Sequence, residues 1–321
     1  RRRVKAYVAV TDTDWYRNLS SYVDLDEANF WTPKPWGGKF RVVERGQPLL
    51  FKLKSPHNAI VGGGFFEHYT QLPIGLAWDA FGEKNGVGSY GELQERIARL
   101  RQEPVDPWST ELTIGCILLL EPFFFERDRW IPQPEDWKPQ TQRGKGYDLT
   151  TDPGRELWER VTRRLQTKPR DSEKPLGRER QPELELEGGY GESIGRQRRV
   201  GQGTFRTVIT DLYDRQCAIT REKALPTLDA AHIRPFSEEP EHYVRNGMLL
   251  RSDVHRMFDA GYLTVTPDYE VEVSRRVRSD FDDGESYLML DGEEVRVPDE
   301  PDHRPDPESL LWHRENQFRG D

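Results

Sequence analysis

Three of the seven histidines in this 321-residue chain, His232, His242 and His255, fall inside one segment, Cys217 to Val265, which also holds Asn246. Imidazole accepts a proton near neutral pH and is a ready metal ligand, so this spacing makes base or metal chemistry a candidate. Two plainer readings compete. A structural metal held by His232, His242, His255 and Cys217 is disfavoured, because their separations match no standard zinc pattern. A lone strand histidine is ordinarily a hydrogen-bonded core residue, and His232 escapes that reading only through its joint spacing with Asn246 and His255. His242 reads as a solvated loop residue, and Cys217 as a small core hydrophobe rather than a nucleophile. His57, His68, His303 and His313 have no partners identifiable in the sequence.

The elements that must position these residues form a short unit. Leu228 to Ile233 reads as a strand carrying His232, Ser237 to Arg245 as a polar loop, and Met248 to Leu250 as a second strand. Ser252 is the expected N-cap of a helix with a buried stripe of Val254, Met257 and Phe258, ended by Gly261. Strand, loop, strand and helix make a ββα unit. His255 falls off the stripe, beside Arg251 and Asp259, on a flank able to face the strands. Upstream, Phe205, Val208, Ile209, Leu212 and Tyr213 have the spacing of a core-facing helix.

In AAHI, with Asn246 fourteen residues after His232 and His255 nine after Asn246, the chain resembles the HNH endonuclease family. The likeness covers about residues 198–275, and the closing FDAGYLTV resembles the restriction-type branch. Phosphodiester hydrolysis needs a base near neutral pH to activate water, which makes His232 the expected general base. A divalent cation, Mg²⁺ or Mn²⁺ or another, would neutralise the charge growing on the phosphorane and leaving oxygen, held by His255 with a carboxylate. The resemblance implies that Asn246 fixes the loop or orients the His232 ring. Arg234 and Arg251 are candidates for the phosphate oxygens. Many relatives carry a metal-binding Asp or His just before the catalytic histidine, where this chain has Ala231. Strand alternation puts Asp229 on the Ala231 face, so Asp229 is the expected substitute ligand, with Asp253 next. No structural zinc is expected, since Cys217 has no paired cysteine.

The rest of the chain bounds this reading. The length suits about two domains. With 11% aromatic and 32% charged residues, folded domains joined by a loose segment are expected. A formal charge of -9 excludes a sequence-blind polycation, so DNA contact must come from local basic patches. The only cysteines, Cys116 and Cys217, exclude a disulfide scaffold and suit a reducing cytoplasm. Glu121 breaks the longest apolar run, which excludes a bilayer span. RRRVKAYVAV makes no secretion signal, and the absent initiator Met suggests trimming.

The expected class is α+β: an N-terminal β-barrel-type domain at 1–166, a flexible linker at 167–197, and a ββα-metal nuclease domain with a C-terminal extension at 198–321. In the first domain, strand-like runs at Tyr7 to Val10, Leu49 to Leu53 and Ile114 to Leu120 accompany a helix at Tyr90 to Arg101. Ala59 to Phe66 runs through three glycines that permit a close backbone approach. The linker is rich in Pro, Gly and mixed charge, and arginines from Arg160 to Arg199 suit phosphates or mere solvation about equally. After Val271, strand-like pieces and a short final helix are assigned packing only.

NFWTPKPWGGKF and RGQPLLFKLKSPHNAIVGGGFF resemble the PUA-like superfamily that includes EVE and SRA-type modified-base readers. The resemblance implies a pocket for a nucleotide turned out of the duplex, walled by aromatic faces. Phe30, Trp31, Trp36 and Phe65 are the candidate walls, and Lys54, Ser55 and Asn58 the candidate polar contacts, against the alternative that the aromatics fill the core. The combination predicts a metal-dependent DNA endonuclease that reads modified double-stranded DNA, with a homodimer needed for a double-strand break. A non-catalytic reader on a degenerate HNH scaffold, and an HNH nuclease acting on RNA, are the alternatives.

Overall fold

The computed structural model describes residues 4–320 except 38, 39, 105, 107–112, 167–200, 236–242 and 283. The expected linker at 167–197, the arginines from Arg170 to Arg199, and His242 therefore lie outside the described residues. The chain forms two compact units, one from residues 1–71 and 82–197, the other from 72–81 and 198–321. The first unit is thus not the unbroken stretch 1–166 expected above, because a short segment from its middle packs with the second.

The first unit holds strands β1 (Lys5–Thr11), β2 (Glu27–Thr32), β3 (Pro48–Leu53) and β4 (Ala59–Pro73), with helix α1 (Thr13–Ser20) after β1. Helix α2 (Ile74–Phe81) follows β4 and belongs to the second unit. Then come α3 (Tyr90–Arg101), β5 (Thr113–Phe124), β6 (Ile131–Pro132), β7 (Gly144–Asp148) and α4 (Gly154–Gln166). The strands make a seven-stranded mixed sheet in the order β2-β5-β4-β3-β1-β7, with β6 paired to β4.

Alternation along the strands explains why both faces are apolar. Tyr7, Ala9, Leu49 and Phe51 join one buried cluster with Trp15 and Phe30, while Ala6, Val8 and Leu50 join another with Leu157 and Trp158 of α4. The glycine run lies inside β4, where a Cβ on Gly62 would stand 2.2 Å from the Phe123 carbonyl oxygen. Close approach to β5, rather than a turn, is what requires glycine there.

The second unit adds α5 (Gln202–Leu212), β8 (Leu228–His232), β9 (Gly247–Arg251), α6 (Ser252–Asp259), β10 (Leu263–Val265) and β11 (Val271–Val273). Helices α7 (Arg276–Phe281), α8 (Glu285–Leu288) and α9 (Pro307–Asn316) follow. The class is α+β. Strands β8 and β9 pair antiparallel, and α5 and α6 both pack on them. Phe205, Val208, Ile209 and Tyr213 are buried, as the stripe on α5 predicts. Helix α2 packs against α5 so closely that a Cβ on Gly203 would stand 2.3 Å from the Ala80 carbonyl oxygen. Among the described residues no helix is long and apolar enough to cross a membrane.

Candidate active site

The ββα unit places its residues through the β8–β9 register, in which His232 faces Gly247 and Leu228 faces Arg251. Between the strands, the ends of the loop are tied by Asn246. Its buried side chain accepts a hydrogen bond from the Arg234 backbone N–H at 2.8 Å and donates one to the Arg234 carbonyl at 3.1 Å. The Ile233 N–H donates to the Asn246 backbone carbonyl at 3.0 Å. The Asn246 amide is therefore bonded to the Arg234 backbone, two residues after His232.

His232 ends β8 with its ring stacked on Phe205 of α5, centroids 4.2 Å apart and planes 9° from parallel. Asp229, three residues earlier on the strand, faces α6 instead. His255 stands between two carboxylates: Nδ1 lies 3.6 Å from Asp229 Oδ2, and Nε2 lies 3.3 Å from Asp259 Oδ2. Burial, with the Asp229 charge adding to it, pushes the Asp259 carboxyl above the usual range, and His255 opposes the shift.

One imidazole and two carboxylates are the nitrogen and oxygen donors that suit a hard divalent cation such as Mg²⁺ or Mn²⁺. As placed, the two carboxylates meet opposite nitrogens of the ring, and among the described residues no three such donors gather around one point. Sequence reasoning assigned Asp259 no role beyond a flank, although its i, i+4 spacing from His255 puts it on the same helix face.

The remaining expected ligands are engaged elsewhere. Arg251 grips Asp253 with two bonds, 2.6 Å and 2.8 Å long, and Tyr287 donates to the same carboxylate at 3.1 Å. The Arg251 bonds hold the Asp253 carboxyl at about 2, and this carboxylate, the reserve metal ligand expected, is paired with Arg251 in the structure. Arg251, a candidate for the phosphate oxygens, is thus paired with Asp253 in the structure. Arg234 reaches towards α9, donating to the Glu308 carbonyl at 3.3 Å with its guanidinium 5.8 Å from the Trp312 ring.

Ser252 is the first helical residue and not the cap; that position falls to Arg251, and the Ser252 hydroxyl donates to the Thr227 carbonyl. His313, unpartnered in the sequence, bonds Thr264 Oγ1 at 2.8 Å and stacks on Phe258. His303 lies 3.2 Å from Glu300, and the His57 ring packs edge-on to Trp130. Cys217 is buried, its sulfur accepting from the Arg251 N–H at 3.2 Å.

In the first unit, Trp31 donates its indole N–H to the Asn85 carbonyl at 2.8 Å. Trp36 packs edge-on to Tyr7 and Phe40, with the Arg143 guanidinium 5.3 Å from its ring, and its buried indole N–H has no partner among the described residues. Burial pushes the Tyr7 hydroxyl up to about 12, with Arg143 opposing. Phe30 is core, stacked on Phe51, and Phe65 packs near Phe123, so neither is a free wall. Ser55, Lys54 and Asn58 sit on the exposed β3–β4 turn, where Asn58 accepts from Lys52 at 3.3 Å. Trp31 and Trp36 thus keep contacts separate from those of Ser55 and Asn58.

The ββα unit thus carries His232, the Asn246 amide bonded to the Arg234 backbone, and the acid-flanked His255. Residues 217–266 match the family model described as HNH endonuclease, so that segment is an HNH endonuclease domain. Among solved structures, the chain is similar to an ASCH protein from Zymomonas mobilis at 10% identity and a TM-score of 0.33, covering 48% of this chain and 94% of that one. It is also similar to the modification-dependent TagI restriction endonuclease at 12% identity and a TM-score of 0.29, covering 97% of this chain and 81% of that one. No curated protein matches the chain.

Proposed function

We propose that the protein is a divalent-metal-dependent DNA endonuclease that reads a modified base with its first unit and hydrolyses phosphodiester bonds with its second. The observation that carries the hydrolytic part is the pinning of the Arg234 backbone by Asn246, one residue beyond Ile233 and two beyond the candidate base. His232 takes a proton from water, the hydroxide attacks phosphorus, and the 3′ oxygen leaves. The products are a 5′-phosphate and a 3′-hydroxyl. A divalent cation held by His255 with one of its two flanking carboxylates, Asp229 or Asp259, would supply positive charge against the phosphate and the departing oxygen. Neither Asp253 nor Arg251 has a part in it.

The base-reading half is supported by the PUA-like resemblance together with Trp36, whose unsatisfied indole donor stands among Tyr7, Phe40 and Arg143. Buried donors are nearly always paired, so an orphan among aromatic faces suits the edge of an inserted base. One ββα site cuts one strand, so a double-strand break would call for two copies. The test digests matched DNAs carrying unmodified, methylated, hydroxymethylated or glucosylated bases, and labelled RNA, with Mg²⁺ or Mn²⁺. Cleavage confined to a modified DNA and lost in His232→Ala is expected. Cleavage persisting in His232→Ala would remove the base from its role. Equal cutting of every DNA would remove the reader, and cutting of RNA alone would move the substrate class.

A further inference from the structure

Two rings face each other at the end of β8 with nothing in the hydrolytic scheme to account for one of them. Phe205 is 1% exposed, and its ring lies within 9° of parallel to His232 at 4.2 Å. The neighbourhood is built around that ring. Gly247, the cross-strand partner of His232, has no side chain, and a Cβ there would stand 2.7 Å from Phe205 Cζ and 2.7 Å from Ile209 Cδ1. The first turn of α5 is braced from outside, since α2 meets it at Gly203, two residues before Phe205. Phe205 is therefore held on a packed turn rather than a frayed one.

We propose that Phe205 is a positioning residue for His232, its stacked ring fixing the plane of the imidazole and so the plane in which the ring nitrogens can act. The inference rests on His232 being the general base. Ring nitrogens act only in the ring plane. A ring free to turn about its Cβ–Cγ bond spends most of its time with those nitrogens aimed elsewhere, and misplacement by about 1 Å costs a reaction on the order of a hundredfold. A face-to-face partner restricts that turn without occupying either nitrogen. Phe205 touches neither substrate nor water in this role.

Three variants separate positioning from mere packing. Phe205→Leu keeps an apolar side chain but removes the flat face. Gly247→Ala leaves both rings intact and drives a methyl against the Phe205 ring edge. Ile209→Val trims the same helix at the same glycine without touching the stack. Each is read by the histidine ring-proton NMR lines, with His232 assigned through His232→Ala, and by kcat, KM and Tm on the DNA that the wild type cuts fastest.

In the wild type the His232 lines are expected upfield of an exposed histidine, from the Phe205 ring current. Phe205→Leu and Gly247→Ala should lose that shift and about tenfold or more in kcat, with KM unchanged. Ile209→Val should keep both. Wild-type His232 lines without an upfield shift, or a kcat loss in Phe205→Leu no larger than in Ile209→Val, would overturn the proposal. His232→Ala that still cuts would end the base assignment and the proposal with it. An inactive His232→Ala beside a fully active Phe205→Leu would end the proposal alone.

Discussion

Replacing Asn246 by alanine probes the loop that follows the base. The side chain is 3% exposed and makes two bonds to one residue, accepting from the Arg234 N–H at 2.8 Å and donating to its carbonyl at 3.1 Å. Leaving a buried backbone group unpaired costs about 1–3 kcal/mol. The half-buried Arg234 backbone recovers part of this from water, so Asn246→Ala should destabilise the unit by about 2–4 kcal/mol. Against a typical domain stability of about 5–15 kcal/mol, the variant stays folded at room temperature. The freed loop should then lower kcat about a hundredfold through displacement of His232. Asn246→Asp keeps the acceptor and loses the donor, and it buries a charge opposite the Arg234 carbonyl. Urea unfolding and single-turnover cleavage measure both effects. An Asn246→Ala protein within about 0.5 kcal/mol of wild type and cutting at the wild-type rate would refute the claim that these two bonds hold the site, since surface changes alone stay within that margin.

Three further outcomes follow from other contacts. Phe81 of α2 is 3% exposed, and its Cδ1 would stand 2.8 Å from a Cβ on Gly203, so Phe81→Ala should cost the second unit about 3–5 kcal/mol in thermal unfolding although it lies far from the nuclease segment in sequence. Burial depresses His313 from 6.5 to about 4, so the unfolded chain takes up this proton first; its contribution is full above pH 6.5 and lost as pH falls towards 4. That stretch of the stability profile, followed by urea midpoints, should flatten in His313→Gln. Asp229→Asn and Asp259→Asn should each raise the Mn²⁺ concentration for half-maximal cleavage by at least about tenfold. Arg251→Gln should leave it unchanged, because that arginine is occupied by Asp253.

The parts of the site legible in the sequence were those set by local rules. Strand alternation predicts Asp229 on the Ala231 face, and Asp229 does meet His255 of α6. Helical periodicity predicts the buried face of α5, and a 3.6-residue repeat says which residues pack without saying what they pack on. Phe205 therefore reads as ordinary core until β8 is laid against it and its neighbour proves to be an imidazole. The same limit hid α2: eight residues between a strand and a turn carry no signal that their partner begins more than a hundred positions later. The pairing of Arg251 was hidden in the sequence for a related reason. From sequence, an arginine near a histidine and an aspartate could serve either. The two parallel bonds to Asp253, with the Tyr287 hydroxyl on the same carboxylate, are what the structure adds: the guanidinium fork meets the aspartate two residues on.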